Sequence, residues 1–348
     1  MQLRAGQVGF SMESLSQAIC EAHALNRRVY VTVNAFACNR DIEALPDYAQ
    51  ALEALGADAV IVSDLGAIAT IRKACPHLPV HVSTQANCLN YASARVYADL
   101  GATRVVLARE MSLEEIAELR AKTPRELELE AFVHGAMCMS YSGRCMLSAY
   151  LTGRSANRGA CAQSCRWTYH LMEEKRPGQF FPIEEDARGT TILSSLDLNC
   201  LSFLDQIMAA GVVSFKIEGR MKEPAYVANV VAKYRKALDG TVTAEEKDEL
   251  KKTFNRTFTK GYLFGEDPKD LSNIQKPNNF GYEIGIISGS YKGMYEIRLH
   301  DELRQNDIIR VDHNNEDVNL SVVKLYDREG NLINRADRVC YIRIKEKL

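Results

Sequence analysis

Short apolar runs rich in valine and isoleucine recur along the first two thirds of the chain, each followed by a stretch with helical spacing. Seven of these runs are predicted to be strands: 29–34, 59–64, 80–85, 104–109, 127–134, 190–198 and 213–220. Helix signals lie between them, such as the capping box formed by Ser112 and Glu115. Strands that alternate with helices in this way predict an α/β fold with a parallel sheet covered by helices.

The number of predicted strands favours a TIM-like (β/α) barrel. A closed barrel of this class needs one strand more than the seven found here. In this interpretation the first strand is missing, because the sequence opens with residues 3–6 and then a helix capped near Ser11. An open doubly wound sheet is the alternative architecture.

The pattern predicts three regions. Residues 1–240 form the barrel and include a cysteine-rich insertion at 136–190, while 223–238 read as the last barrel helix. Residues 241–277 are predicted to be a helical linker, with one helix running from Thr243 to about Asn255. Residues 278–348 alternate in short strands separated by turn signals, which predicts a small all-β barrel or sandwich.

Polar residues follow the predicted strands. They are Asn34, Asp64, Thr84, Gln85, Arg109, Glu110, His134, Asp197, Glu218 and Arg220. Barrel enzymes build their active sites at the carboxyl ends of the strands. Any one of these residues can be explained as the start of a polar loop. As a set, they favour an active site at the carboxyl ends of the strands.

Composition narrows the class of protein. The chain has 348 residues and a net charge of −2, so any contact with nucleic acid must come from a local patch. No leader peptide and no apolar run of membrane-spanning length is present, so a cytoplasmic location without membrane contact is expected. Thiols stay reduced there, and ten cysteines therefore indicate metal ligands, catalytic groups or core residues before disulfides.

Four of the ten cysteines lie between Cys138 and Cys165, in sequence dense in Gly, Ser and Arg. Buried structural cysteines belong on apolar faces of helices and strands, so this placement indicates a metal centre instead. Structural zinc uses tight pairs, and only Cys161 with Cys165 resembles one. Iron–sulfur clusters accept wider spacing and are favoured over zinc. Cys200 follows a predicted strand near the same edge, and Cys38 is a weaker candidate.

The same insertion is basic and aromatic. Its basic residues are Arg144, Arg154, Arg158, Arg166, Lys175 and Arg176, and Tyr141, Tyr150, Trp167 and Tyr169 lie among them. This combination suits phosphate contact and base stacking in RNA. A solvated loop, balanced by acidic residues such as Glu173 and Glu184, is an equally good interpretation.

The last predicted strand ends in a charged cluster. Lys216, Glu218 and Arg220 share one face of a strand, where they would bind an anionic substrate with Glu218 orienting Arg220. The alternative is a structural ladder of ion pairs. Serine-hydrolase, zinc-protease, P-loop and dinucleotide-binding motifs are absent from the sequence, so a standard hydrolytic route has no support.

The segment from Glu130 to Ser148 resembles the signature of the family labelled peptidase U32. The matching residues are Glu130, Phe132, Gly135, Ala136, Met137, Cys138, Gly143, Cys145, Leu147 and Ser148. The resemblance extends to residues 82–85, 107–110, 157–166 and 216–220, and so covers most of the chain. Members normally begin with a strand and a helix before the segment at residues 3–5.

The resemblance implies a barrel and, in several members, a 4Fe–4S cluster. Carried over by position, its ligands are Cys138, Cys145, Cys161 and Cys200, with Cys165 as a neighbour. The branch that this chain is most similar to is implied in tRNA hydroxylation, which makes 5-hydroxyuridine at the wobble position with prephenate as a required metabolite. Other members hydroxylate a cytidine of ribosomal RNA, act in ubiquinone synthesis without oxygen, or carry a collagenase label.

Together these features predict an iron–sulfur enzyme that modifies tRNA. The predicted RNA contacts are Arg154, Arg158, Arg166 and Trp167, and the predicted prephenate-binding or catalytic residues are Lys216, Glu218 and Arg220. Two rival expectations stand beside it. One is a U32-type, collagenase-like peptidase, and the other is a non-catalytic iron–sulfur subunit that works with a homologous U32 protein or a second copy of itself.

Overall fold

A computed structural model describes residues 9–167, 169, 171–172, 175, 178, 180–181, 194–219, 222–265, 271, 281–291, 293–313 and 316–343. The chain forms two compact units. The first comprises residues 1–250 and 254–280, and the second comprises residues 251–253 and 281–348.

The first unit alternates helices and strands as the hydrophobic pattern predicts. Its helices are α1 (Met12–Ala24), α2 (Asn39–Glu43), α3 (Leu45–Ala54), α4 (Leu65–Ala74), α5 (Tyr91–Asp99), α6 (Leu113–Ala121), α7 (Leu147–Thr152), α8 (Leu204–Ala209), α9 (Pro224–Leu238) and α10 (Ala244–Asp248). Its strands are β1 (Tyr30–Val33), β2 (Ala59–Val62), β3 (Val80–Val82), β4 (Ala102–Val106), β5 (Glu128–Ala136), β6 (Leu171–Met172), β7 (Phe180–Phe181), β8 (Asp197–Asn199), β9 (Ser214–Glu218) and β10 (Phe258–Thr259).

A largely parallel sheet organises this unit. Strands β1 to β5 pair in chain order, each parallel to the next, and β9 lies parallel to β5 on its other side. The predicted α/β class with a parallel sheet is therefore confirmed. All four residues of β2 are buried, and Leu52 of α3 and Ile68 of α4 belong to the same core. Burying each such side chain contributes about 1.5–3 kcal/mol.

One predicted strand departs from the parallel series. The structure places β8 at Asp197–Asn199, antiparallel to the carboxyl end of β5 and parallel to β10. The prediction of a further parallel strand over 190–198 is wrong in direction, and residues 190–193 lie outside the described part of the chain. A parallel neighbour needs a crossover back to the opposite edge of the sheet. Here the chain re-enters the sheet at the edge from which the cysteine-rich segment leaves.

Helix ends follow local sequence signals. Ser112 and Glu115 form the predicted capping box of α6, and Ser11 caps α1. The predicted helix over 41–55 is two helices, α2 and α3, because Pro46 lies at the second position of α3. A proline there cannot donate a backbone hydrogen bond to the preceding turn, so a new helix begins.

Most of the segment predicted to be a helical linker is part of the first unit, and its residues 251–253 belong to the second. Thr243 and Glu246 form a capping box that starts α10, which ends at Asp248 and continues as a 3₁₀ turn over Glu249–Lys252. The chain then adds β10 to the main sheet beside β8. The prediction of one helix to Asn255 is therefore too long.

The second unit is antiparallel. Its strands are β11 (Gly285–Tyr291), β12 (Met294–Leu299), β13 (Leu303–Arg304), β14 (Ile308–His313), β15 (Glu316–Ser321), β16 (Leu325–Tyr326), β17 (Leu332–Ile333), β18 (Arg335–Ala336) and β19 (Val339–Ile342). Five of them form a sheet in the order β11-β12-β19-β16-β17, and β13 with β18 and β14 with β15 form two-stranded pairs. Ile297, Leu325 and Cys340 are buried in its small core. Among the helices of the described residues, none is long and apolar enough to cross a membrane.

Candidate active site at the ends of the parallel strands

A buried ion network fills the inner face of the sheet below the strand ends. The carboxylate of Glu130 accepts hydrogen bonds from Lys216 Nζ at 3.0 Å, Arg104 Nη1 at 3.0 Å and Ser214 Oγ at 2.8 Å. Burial opposes ionisation of Glu130, but Lys216, Ser214 and Arg104 together lower the pKa of its carboxyl. Lys216 therefore has a structural partner, as the ion-pair alternative predicts.

Phe132 connects this network to the strand ends. The guanidinium of Arg109 lies 3.9 Å from the centre of its ring, and the Lys216 ammonium lies 5.5 Å from it. Arg109 also donates to the backbone carbonyl of Ala136 at 3.1 Å. Stacking of cations on an aromatic ring is favourable, more so away from water. Arg109 thus ties the end of β4 to the point where β5 leaves the sheet.

Gly135 allows β5 and β9 to approach closely at this edge. Its φ is +104°, and a Cβ atom built there would overlap the backbone carbonyl of Glu218. Any larger residue would push the strands apart. The close approach fixes Glu218 beside the carboxyl end of β5. Arg220, predicted to act with Lys216 and Glu218, lies outside the described residues.

The cysteine loop, residues 137–145, is anchored to the ends of β3 and β4. Glu110 accepts from the backbone N–H of Ser142 at 2.6 Å, and Ser142 Oγ accepts from the backbone N–H of Arg109 at 3.2 Å. Arg144 Nε donates to the carbonyl of Gln85 at 2.9 Å. Asn87 Nδ2 donates to the carbonyl of Tyr141 at 3.1 Å. Several of the polar residues that were predicted at the strand ends therefore hold this loop in place by hydrogen bonds.

A second contact fixes Cys145. The Asn157 side chain accepts from the backbone N–H of Cys145 at 3.0 Å and donates to its carbonyl at 2.9 Å. The Asn157 carbonyl in turn accepts from the backbone N–H of Phe36, in the loop after β1. Next to it, Arg158 pairs with Asp41 at 2.8 Å and holds the pKa of that carboxyl well below its usual range.

The four cysteines of the cysteine-rich segment, Cys138, Cys145, Cys161 and Cys165, are partly exposed. Burial raises the pKa of the Cys165 thiol. Among the described residues, no three Cys, His, Asp or Glu side chains converge at metal-binding distance. The ligand set of the centre stays a prediction.

Cys200 lies in the core instead. Its backbone N–H donates to the carbonyl of Val133 at 2.9 Å and to Tyr234 Oη at 3.1 Å. Cys200 thus lies against the carboxyl-terminal part of β5, the strand that leads into the cysteine loop at residue 137.

Aromatic side chains of the cysteine-rich segment are turned to solvent. Tyr150 is 84% exposed, Tyr141 52% and Trp167 45%, and Met146 beside them is 78% exposed. Arg154 is also exposed, and Arg158 remains half exposed in its pair with Asp41. Arg166 is different, because it donates to the carbonyls of Met137 at 2.9 Å and Ser195 at 3.3 Å. Arg166 thus joins the cysteine loop to the segment before β8.

A cationic cluster near β8 was not predicted as a unit. Arg256 Nη1 donates to buried Asp197 at 3.1 Å. Burial lowers the pKa of Lys222 to about 8; Asp197 opposes that shift, whereas Arg256 and Arg166 add to it. Three cations therefore crowd one buried carboxylate. Arg256 precedes β10 and Lys222 follows β9 in sequence, but only their tertiary placement reveals the cluster.

His134 and Gln85 are buried at this edge with unpaired polar atoms. His134 Nδ1 lies 3.3 Å from Tyr234 Oη, and burial lowers the pKa of the imidazole to about 4. Within the described residues, His134 Nε2 and both amide atoms of Gln85 have no hydrogen-bond partner. Leaving such a group unpaired costs about 1–3 kcal/mol.

The fold and the site define an α/β protein with a cysteine-rich, aromatic segment fixed to the carboxyl ends of its parallel strands. The family model described as Peptidase family U32 matches residues 1–273. The chain therefore belongs to the U32 family, as its sequence signature predicts.

Three similar proteins illustrate the activities after which relatives of this chain are named. The chain is 34% identical over 342 residues to tRNA hydroxylation protein P of Escherichia coli, covering 84% of this chain and 74% of that protein. It is 40% identical over 271 residues to tRNA hydroxylation protein P of Helicobacter pylori, covering 75% and 63% respectively. It is 31% identical over 317 residues to a 23S rRNA 5-hydroxycytidine synthase of Escherichia coli, covering 86% and 46%.

Proposed function

We propose that this protein is an RNA-modifying enzyme that hydroxylates the wobble uridine of tRNA to 5-hydroxyuridine in the cytoplasm. The observation that carries the proposal is the exposed aromatic set Tyr141, Tyr150 and Trp167, on the segment that also bears the clustered cysteines. Unstacked bases of an anticodon loop stack on such rings, and Arg154 and Arg158 are placed to contact phosphates. The names of the relatives support the same reaction class.

The exposed aromatic set gives the direct test of RNA binding. Replacing Tyr150 and Trp167 with alanine should weaken tRNA binding by at least about 30-fold, since each of the two stacked bases is worth about 1–3 kcal/mol. Phe10→Ala is the matched control, because Phe10 is a 59% exposed aromatic outside this segment. Equal affinities for the wild type, the double variant and the control, measured by filter binding at one fixed salt concentration, would remove this surface as the RNA site.

A 4Fe–4S cluster is part of the proposal. The donor set supports it, because four partly exposed cysteines, Cys138, Cys145, Cys161 and Cys165, lie close in sequence, and the loop that carries Cys138 and Cys145 is held by Arg144 on Gln85 and by Asn157. Thiolates are the ligands of such clusters, and the sequence resemblance adds Cys200 as the fourth. When bound, the cluster would either supply one-electron chemistry or hold the substrate. A redox-inert metal gives no route to the one-electron chemistry. The chain's own contribution is to fix the loop.

A TIM-like barrel is the architecture we propose for the first unit. Six parallel strands, β1 to β5 and β9, support it, together with polar residues at their carboxyl ends. Barrels of this class place their chemistry at that end.

We also propose prephenate as co-substrate, held by charge-assisted hydrogen bonds. Glu218 and Arg220 keep the role predicted for them, whereas Lys216 would first have to leave Glu130. Lys222 is a better placed cation, because Arg256 and Arg166 crowd it and an added carboxylate would relieve that repulsion. Prephenate should therefore raise the melting temperature of the wild type and leave that of Lys222→Met unchanged. An equal increase in both proteins would rule out Lys222.

The rival functions predict different results in the same preparation. A collagenase-like peptidase would cleave gelatin after the tRNA-binding residues are removed. A non-catalytic subunit would restore tRNA modification only together with a homologous U32 protein, whereas an enzyme acting alone or as a homo-oligomer would not need one.

A further inference from the structure

The side-chain amide of Gln85 is buried at the carboxyl end of β3. Only 2% of the residue is exposed, and among the described residues neither Oε1 nor Nε2 has a hydrogen-bond partner. Its backbone carbonyl is occupied by Arg144 Nε at 2.9 Å. A primary amide left this way presents one acceptor and a donor side by side in a plane. Native proteins pair such buried groups with protein, water or ligand.

The surroundings of Gln85 belong to the candidate active site. A Cβ atom built on Gly143 would lie 3.7 Å from Nε2 of Gln85, so the cysteine loop covers the amide. Asn34 Oδ1, at the end of β1, is also buried without a partner in the described structure, although Asn34 Nδ2 donates to Ser83 Oγ at 3.1 Å. Unpaired polar atoms thus lie under the loop that carries Cys138 and Cys145.

We propose that Gln85 binds the Watson–Crick edge of the target pyrimidine, presented as a base flipped out of the RNA. Enzymes that modify a base read its flipped Watson–Crick edge by hydrogen bonds. With uracil, Oε1 of Gln85 accepts from N3–H and Nε2 donates to O4. The C5–C6 edge, where hydroxylation occurs, then stays free. The inference rests on the proposed function and assigns its base-binding residue.

The same amide also fits cytosine when it is rotated by half a turn, with Nε2 donating to N3 and Oε1 accepting from the exocyclic amine. One residue can therefore serve relatives that act on either pyrimidine. Discrimination between uracil and cytosine then depends on which groups fix the orientation of the amide.

The first test separates binding from structure. Gln85→Met keeps the side-chain shape and removes both hydrogen-bonding groups, and Gln206→Met on exposed α8 is the control. In a deletion strain, Gln85→Met should lower 5-hydroxyuridine in tRNA at least about tenfold relative to wild type, because a bidentate base contact is lost. Its melting temperature should equal or exceed that of the wild type, since unpaired buried groups are removed. Wild-type modification by Gln85→Met, as expected if the amide merely holds a water molecule, would overturn the proposal.

The second test uses the wild-type protein and therefore does not depend on how a variant folds. An anticodon stem-loop with 3-methyluridine at the wobble position cannot donate from N3. The anaerobically purified protein should bind it at least about fivefold more weakly than the uridine stem-loop. Equal affinities would overturn the proposal even if Gln85→Met proves unstable. If the wild type itself fails to restore 5-hydroxyuridine, the proposed function fails; if it succeeds and the 3-methyl group has no effect, only the assignment of Gln85 fails.

Discussion

Lys216 Nζ lies 3.0 Å from Oε1 of Glu130 across the β5–β9 ladder, inside the sheet. Arg104 approaches the other oxygen of the same carboxylate at 3.0 Å. Glu130 thus pairs with buried Arg104, which Glu128 also binds, and with partly buried Lys216. The stability of the sheet at this point depends on that carboxylate staying ionised.

Glu130→Gln should destabilise the protein by about 3–5 kcal/mol, because it leaves Arg104 and Lys216 without their shared counter-charge. Glu128→Gln is the matched control, since Glu128 binds the same Arg104 but its side chain is 47% exposed. Its expected loss is below about 1 kcal/mol. Urea denaturation monitored by circular dichroism measures both. Equal losses in the two variants would show that burial of the network contributes nothing.

Asn157→Ala should loosen the cysteine loop, because both backbone groups of Cys145 lose their side-chain partner. Asn157→Asp is the graded control, since a carboxylate still accepts from the Cys145 N–H at the same place. We expect amide hydrogen exchange at residues 143–146 to accelerate about 30-fold in the alanine variant and less in the aspartate variant, as two hydrogen bonds of about 1 kcal/mol each are lost. Unchanged exchange in both variants would contradict this anchoring role.

Cysteine-to-serine variants should identify the ligands of the proposed cluster. Iron content and absorption near 400 nm after anaerobic purification should fall for Cys138, Cys145 and Cys161, while Cys20→Ser on exposed α1 is the control. The comparison of Cys165→Ser with Cys200→Ser decides the fourth ligand. Loss of iron with Cys200→Ser alone supports the set implied by the family resemblance. Loss with Cys165→Ser alone supports a set drawn wholly from the cysteine-rich segment, with Cys165 in place of Cys200. A colourless, zinc-only wild type would contradict the cluster itself.

His134 should make stability depend on pH. Burial lowers the pKa of His134 to about 4, from an ordinary value of 6.5, so the unfolded chain binds this proton before the folded one does. Stability is then complete above about pH 6.5 and falls as the pH drops toward 4. The expected loss from His134 between pH 7 and pH 5 is about 2 kcal/mol.

His134→Phe should remove that share of the pH dependence while keeping a ring among Tyr226, Tyr234 and Phe258. His77→Gln, on an exposed loop, should leave the dependence as it is in the wild type. Urea midpoints at pH 7 and pH 5 give the comparison. The account of His134 is wrong if the phenylalanine variant loses as much stability on acidification as the wild type does.

Local features of this fold could be predicted from the sequence. The strand rhythm, the capping boxes at Ser112 and Thr243, and the helix Pro224–Leu238 are set by neighbouring residues, and the structure has all of them. The direction of β8 could not be predicted in the same way. Strand pairing is settled by where the chain re-enters the sheet, and the segment before β8 has no periodic pattern that reveals its path.

The hydrogen-bond and ion-pair partners of the polar side chains could not be predicted from the sequence either. Lys216 was predicted either to bind an anion or to join an ion-pair ladder, and only its 3.0 Å contact with Glu130 separates the two. Arg166 looked like an RNA contact by composition, yet it donates to the carbonyls of Met137 and Ser195. Gln85 was recognised as a polar strand-end residue, but its unpaired amide depends on the loop that folds over it.

Nucleoside mass spectrometry of tRNA tests the central proposal most directly. A strain lacking this protein and any redundant paralogue should lose 5-hydroxyuridine and its derivatives, and expression of this chain should restore them. The other modified nucleosides in the same digest serve as the internal control. Unchanged levels of 5-hydroxyuridine in the deletion strain would contradict a role in wobble-uridine hydroxylation.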